Sequence, residues 1–149
     1  MENELISRME KAEGPSMELA RIIQCQYGGW HRVTPSQLGK KHGGFIAPQD
    51  WIGQHSNGAP ILDSLHGTDI HRDVPDCLSS IDAAVAFAER VLPDINVWGL
   101  EFERGKCEAT VQRNGVAPGH WAYFAVHAVP AIAICIAALK ALKAREVAV

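Results

Sequence analysis

A chain of 149 residues, 47% apolar and 21% charged, has the size and composition of one folded domain and not of a charge-rich disordered polymer. A net charge of −3, with no run that gathers Lys and Arg on one face, argues against a nucleic-acid polymer as partner. The longest near-continuous apolar run, Ala128 to Leu139, falls short of the roughly 20 residues that cross a bilayer, so no membrane partner is expected.

The start, Met1-Glu2-Asn3-Glu4, is acidic and lacks the basic and apolar regions of a signal peptide, so no export is indicated and a cytoplasmic setting is expected. Leu5, Met9 and Ala12 share one helical face over residues 4 to 12. Gly14-Pro15 interrupts that pattern, and Pro15 suits the first turn of a second helix reaching about Gln26. That helix carries Leu19, Ile22 and Ile23 as a buried stripe, with Glu18 and Arg21 toward water.

Residues 28 to 76 hold eight of the thirteen glycines, four of the eight prolines and five of the seven histidines, so regular structure should be sparse there. The same segment contains Trp30, Phe45, Ile46, Trp51, Ile61, Leu62 and Leu65, which a disordered linker would lack, and ordered irregular structure is expected. A helix follows from a cap at Ser79, with Asp82 in its first turn, to about Leu92. Its apolar face reads Ile81, Ala84, Val85, Ala88, Val91 and Leu92.

Trp98, Leu100 and Phe102 then alternate with Gly99, Glu101 and Glu103, and Cys107, Ala109 and Val111 alternate with Glu108, Thr110 and Gln112. A tight turn at Arg104-Gly105 sets Phe102 opposite Cys107, Leu100 opposite Ala109 and Trp98 opposite Val111, which collects the apolar residues on one side. The same register sets Glu101 against Glu108, a mildly unfavourable pair. Trp121 to His127 reads as a third strand, apolar on both faces and so covered on both. A core helix closes the chain from Pro130 to about Arg145, with Lys140, Lys143 and Arg145 near its negative end. The predicted fold is α+β, an antiparallel sheet of three or more strands between helices, with the Gly/His-rich segment as a long irregular insert in a single domain and any strands inside it extending the sheet.

These segments resemble a family of small phage and prophage proteins, the phage ABA sandwich domain. The resemblance rests on Leu5-Ile6-Ser7-Arg8-Met9-Glu10 with Gly14-Pro15-Ser16, on Ser80-Ile81-Asp82-Ala83-Ala84, on the Trp98 hairpin and on Ala133-Ile134-Cys135-Ile136-Ala137-Ala138-Leu139-Lys140-Ala141. It implies a sheet between two helical layers, a phage or prophage origin and a setting in the host cytosol. It supplies no active-site residue, and the stretch from Trp30 to Asp73 departs from the family.

Two clusters carry chemistry. In residues 63 to 73, His66, Asp69, His71 and Asp73 bear imidazole and carboxylate groups that suit a divalent ion able to activate water. Their spacing matches no established metal motif, and a polar loop satisfying its own turns has the same composition. In the second cluster Trp30, His31, Arg32, Trp51, His71 and Arg72 combine faces that stack on a base with guanidinium groups that fork onto phosphate. The competing reading makes Trp30 and Trp51 hydrophobic plugs that anchor the segment. Cys25, Cys77, Cys107 and Cys135 lack paired spacing and read as reduced, buried thiols, with Cys77 structural and not nucleophilic. The loop Gly115-Val116-Ala117-Pro118-Gly119-His120 lacks the lysine and glycine spacing of a phosphate loop.

The expected ligand-binding residues are Trp30, His31, Arg32, Trp51, His66, Asp69, His71 and Arg72, with no catalytic residue, metal or cofactor. The leading expectation is a homo-oligomeric, non-enzymatic phage accessory protein that sequesters a small host molecule, a cyclic or linear nucleotide used as an immune signal. The alternatives are a metal-dependent hydrolase on His66, Asp69, His71 and Asp73, and a protein-interaction module using residues 28 to 76.

Overall fold

The computed structural model describes residues 2–63, 67–113 and 122–147. The chain is α+β and divides into two compact units, one of residues 1–20 with 76–149 and one of residues 21–75.

In the first unit α1 (Glu2–Lys11) buries Leu5, Ile6 and Met9. The helix that follows, α2 (Met17–Gln26), starts later than Pro15, because the Ser16 hydroxyl accepts the Leu19 amide and its carbonyl accepts the Ala20 amide. Further on, α4 (Ile81–Val91) is capped by Ser80, whose Oγ accepts the Ala83 amide at 3.2 Å, and not by Ser79. Its buried stripe is Ala84, Phe87, Ala88 and Leu92. Phe87 extends that stripe on one side, and Ile81, the first residue of the helix, is left 42% exposed.

Strands β3 (Ile95–Glu103), β4 (Lys106–Arg113) and β5 (Ala122–His127) form an antiparallel sheet in the order β3-β4-β5. Arg104 and Gly105 both have positive φ, 52° and 76°, the backbone of a two-residue type I′ hairpin. Phe102 pairs with Cys107, Leu100 with Ala109 and Glu101 with Glu108, as the alternation requires. The pairing of Trp98 with Val111 does not form. Val97 takes that place and Gly99 pairs with Thr110, so Trp98 is the extra residue of a bulge.

Helix α5 (Pro130–Val147) packs on β4 and β5, α4 packs on β3 and on α5, and α1 also packs on α5. Every residue of α5 from Ala131 to Leu139 is buried, which its uninterrupted apolar sequence permits and a one-faced helix would not. The helix-facing positions Cys107, Ala109, Val111 and Ala125 are buried with it. Covering of β5 on both sides is not found, since Phe124 and Val126 are each 51% exposed on the opposite face. His127 is buried with both ring nitrogens satisfied: Nδ1 accepts the Val129 amide at 2.9 Å, so Nε2 donates to the Ala12 carbonyl at 2.8 Å. Residues Gly115 to His120 and Trp121 lie outside the described residues. No helix among the described residues is long and apolar enough to cross a membrane.

The second unit contains short regular elements. Strand β1 (His31–Val33) pairs antiparallel with β2 (Gly44–Ile46) as a separate two-stranded sheet, so these strands do not extend the other one. Between them α3 (Pro35–Leu38) is fixed by a capping box, in which Thr34 Oγ1 accepts the Gln37 amide and Gln37 Oε1 accepts the Thr34 amide. Gly39, at φ 63°, ends it. A 3₁₀ turn, Pro48–Asp50, follows β2. Trp30, Val33, Phe45, Ile46 and Val74 are all buried, so the described part of the segment has an apolar core despite its composition.

Candidate functional site

The second unit is held closed near its chain ends. Arg21, half-buried on α2 and not turned simply toward water, donates Nε to Asp73 Oδ1 at 2.9 Å and Nη2 to Oδ2 at 2.6 Å. Three residues along, the Gln24 side-chain amide donates to the Pro75 carbonyl at 3.3 Å. The Arg21 guanidinium, helped by the Val74 amide, holds the Asp73 carboxyl below its ordinary range.

Within this frame, Phe45 exchanges two backbone hydrogen bonds of 2.8 Å with His71, which lays residue 71 beside β2 as a one-residue third strand. That bridge brings Arg72 to the rim of a cleft of about 410 Å³, whose lining also includes Arg21, Arg32 and Thr34 with Gly43 and Gly44. Arg32 pairs across the ladder with Phe45, and its Cζ lies 5.7 Å from the Phe45 ring centroid. This cation–π contact uses the guanidinium charge and none of its N–H donors. The glycines are required by close approach: a Cβ at Gly43 would meet the Val33 carbonyl at 2.3 Å, and one at Gly44 would meet the His71 carbonyl at 2.6 Å.

The sequence-predicted residues divide into two groups. Arg32 and Arg72 share the cleft. Trp30 and Trp51 do not line it: Trp30 is 6% exposed with its ring edge-on to His71 at 5.3 Å, and Trp51 stacks on His31 at 3.6 Å and 8°. Both tryptophans anchor the segment. Burial against Trp51 lowers the pKa of His31. Asp69 is exposed and outside the cleft lining, and His66 lies outside the described residues.

The metal reading gains no support, because the Asp73 carboxylate is taken up by Arg21 and the Val74 amide. Among the described residues no three His, Cys, Asp or Glu side chains converge as a metal site would require. The four cysteines are free thiols, with Cys77, Cys107 and Cys135 buried. The Cys135 thiol donates to the Cys77 carbonyl at 3.3 Å, and the neighbouring Cys77 side chain together with burial pushes its pKa well above the ordinary thiol range.

Sequence reasoning missed Arg21 and Phe45 as parts of the site. Arg21 carries no local signal, since its partner is 52 residues away. Comparison with family models, with curated proteins and with solved structures returns no match to this chain.

Proposed function

We propose that this chain is a phage or prophage accessory protein that binds a small host molecule without transforming it, a nucleotide immune signal held in the arginine cleft, and so counters host defence in the host cytosol. One observation carries the reading: Arg21, Arg32 and Arg72 line a single cleft of small-molecule size, and its described lining contains no carboxylate. Guanidinium groups bind phosphate oxygens through paired, charge-assisted hydrogen bonds, so a phosphorylated metabolite is the ligand such a lining favours. The phage setting rests on the resemblance of the two ends of the sequence to the ABA sandwich family. Self-association belongs to the same proposal, because Phe124 and Val126 leave apolar area open on the three-stranded sheet.

Calorimetric titration of the purified chain with a panel of cyclic and linear nucleotides tests the reading. At least one should bind with measurable heat and be recovered unchanged. Absence of heat across the panel overturns the proposal, and conversion of the ligand overturns its non-enzymatic part. Light scattering that gives a monomer mass removes the self-association.

A further inference from the structure

We infer that the arginine cleft recognises its ligand by contiguous phosphates and not by the base, an inference that rests on the reading of the cleft as a nucleotide site. A base held in the cleft would need an aromatic face open to it, and neither tryptophan of the segment lines the cleft. Trp30 is buried with His71 at its side, and Trp51 has His31 stacked upon it at 3.6 Å. Phe45 is the aromatic residue of the lining, is only 5% exposed, and already lies under Arg32.

The charge in the cleft points the same way. Arg21 is matched by Asp73, which leaves the charges of Arg32 and Arg72 in excess on one concave surface. Two guanidinium groups in one cleft complement two adjacent phosphates better than the single phosphodiester of a cyclic mononucleotide. Phe45 restrains Arg32 by its face while leaving the N–H fork for the anion, which lowers the ordering cost of binding. The ligand class is therefore a diphosphate or polyphosphate ester with any base.

The test is calorimetry on the full chain with inorganic pyrophosphate, orthophosphate, adenosine, ADP, GDP and UDP. Pyrophosphate alone should bind, the three diphosphates should agree within about threefold, and adenosine should give no heat. Arg32→Gln and Arg72→Gln should each weaken pyrophosphate binding by about tenfold or more. Arg32→Lys, which keeps the charge but not the fork, should also weaken it, and Lys41→Gln should not. A spread above about tenfold among the three bases, or nucleotide binding without pyrophosphate binding, overturns this inference and leaves the nucleotide reading standing. Pyrophosphate binding indifferent to Arg32 and Arg72 overturns the location of the site. Silence from every nucleotide and from pyrophosphate overturns both readings.

Discussion

Arg21 and Asp73 join the two ends of the second unit through a two-pronged ion pair across 52 residues of sequence, with contacts of 2.9 and 2.6 Å. Both side chains remain partly solvated, so the pair contributes about 1 kcal/mol, and Asp73→Asn should lower the melting temperature by about 3 °C. The pKa of Asp73 is lower in the folded chain than in the unfolded one, so the unfolded state takes up the proton first as pH falls. The contribution is complete above the ordinary carboxylate range near pH 4 and is lost as pH drops through the lower folded value. Thermal melts of the native chain and Asp73→Asn should converge at low pH. A difference that persists unchanged to pH 2 would refute this account.

His31 stacks on Trp51, and burial makes its protonation harder in the folded state. The unfolded chain therefore binds the proton at higher pH, and this contribution to stability is lost as pH falls from about 6.5 through the folded value. His31→Phe keeps a flat ring against Trp51 and removes the titration. Its melting temperature should change less between pH 7 and pH 5 than that of the native chain, and equal slopes would show that His31 is not the titrating group.

Trp30 is 6% exposed, and its indole N–H is buried without a hydrogen-bond partner among the described residues. Trp30→Ala should cost about 3 to 5 kcal/mol from the cavity it leaves. Trp30→Phe keeps most of the volume and removes the unsatisfied donor, so it should cost clearly less. Denaturant titrations of the two variants separate a packing role from a polar one. Equal losses would mean that the indole nitrogen is engaged after all.

Much of the larger unit was legible because its signals are local and periodic. The alternation on either side of Arg104-Gly105 fixes the register of Phe102, Leu100 and Glu101, and the apolar run through Leu139 yields a buried helix. Local patterning does not show the open face of β5, where Phe124 and Val126 are each 51% exposed. Uninterrupted alternation predicts Trp98 opposite Val111, but the strand bulges at Trp98. The apolar spacing of α4 omits Phe87, which is buried beside Ala84 and Ala88. The smaller unit was less legible, because strands of three residues are too short to show a period. Its organising contacts, Arg21 with Asp73 and Phe45 with His71, join distant positions that no local pattern connects. The chemistry of Arg32 and Arg72 marks them in the sequence, while Trp30 and Trp51 carry ring contacts to His71 and His31 and lie outside the cleft lining.

The hairpin offers a gain of stability. Arg104 holds φ at 52°, a conformation that asparagine adopts at lower cost, so Arg104→Asn before Gly105 should stabilise the chain by about 0.5 to 1 kcal/mol. Glu101 faces Glu108, and Glu101→Lys should add about 0.2 to 1 kcal/mol, diminishing with added salt. The two changes lie on different features of the hairpin and should add in a urea titration. Destabilisation by Arg104→Asn would contradict the assigned turn.

Gly44 connects the fold of the small unit to its cleft. A methyl group there would sit 2.6 Å from both the His71 carbonyl oxygen and Ile70 Cγ2. That carbonyl accepts the Phe45 amide at 2.8 Å, so Gly44→Ala must push residues 70 to 72 away from β2 and carry Arg72 with them. The expected cost is about 1 to 3 kcal/mol of stability, together with weaker binding of pyrophosphate. Gly39→Ala is the control, because Gly39 has a left-handed backbone, φ 63°, and open space around it. It should cost about 1 kcal/mol of stability and leave pyrophosphate binding alone. Thermal melts and calorimetry on both variants decide the matter: if Gly44→Ala binds pyrophosphate as the native chain does, the Phe45–His71 bridge does not position Arg72 for the ligand.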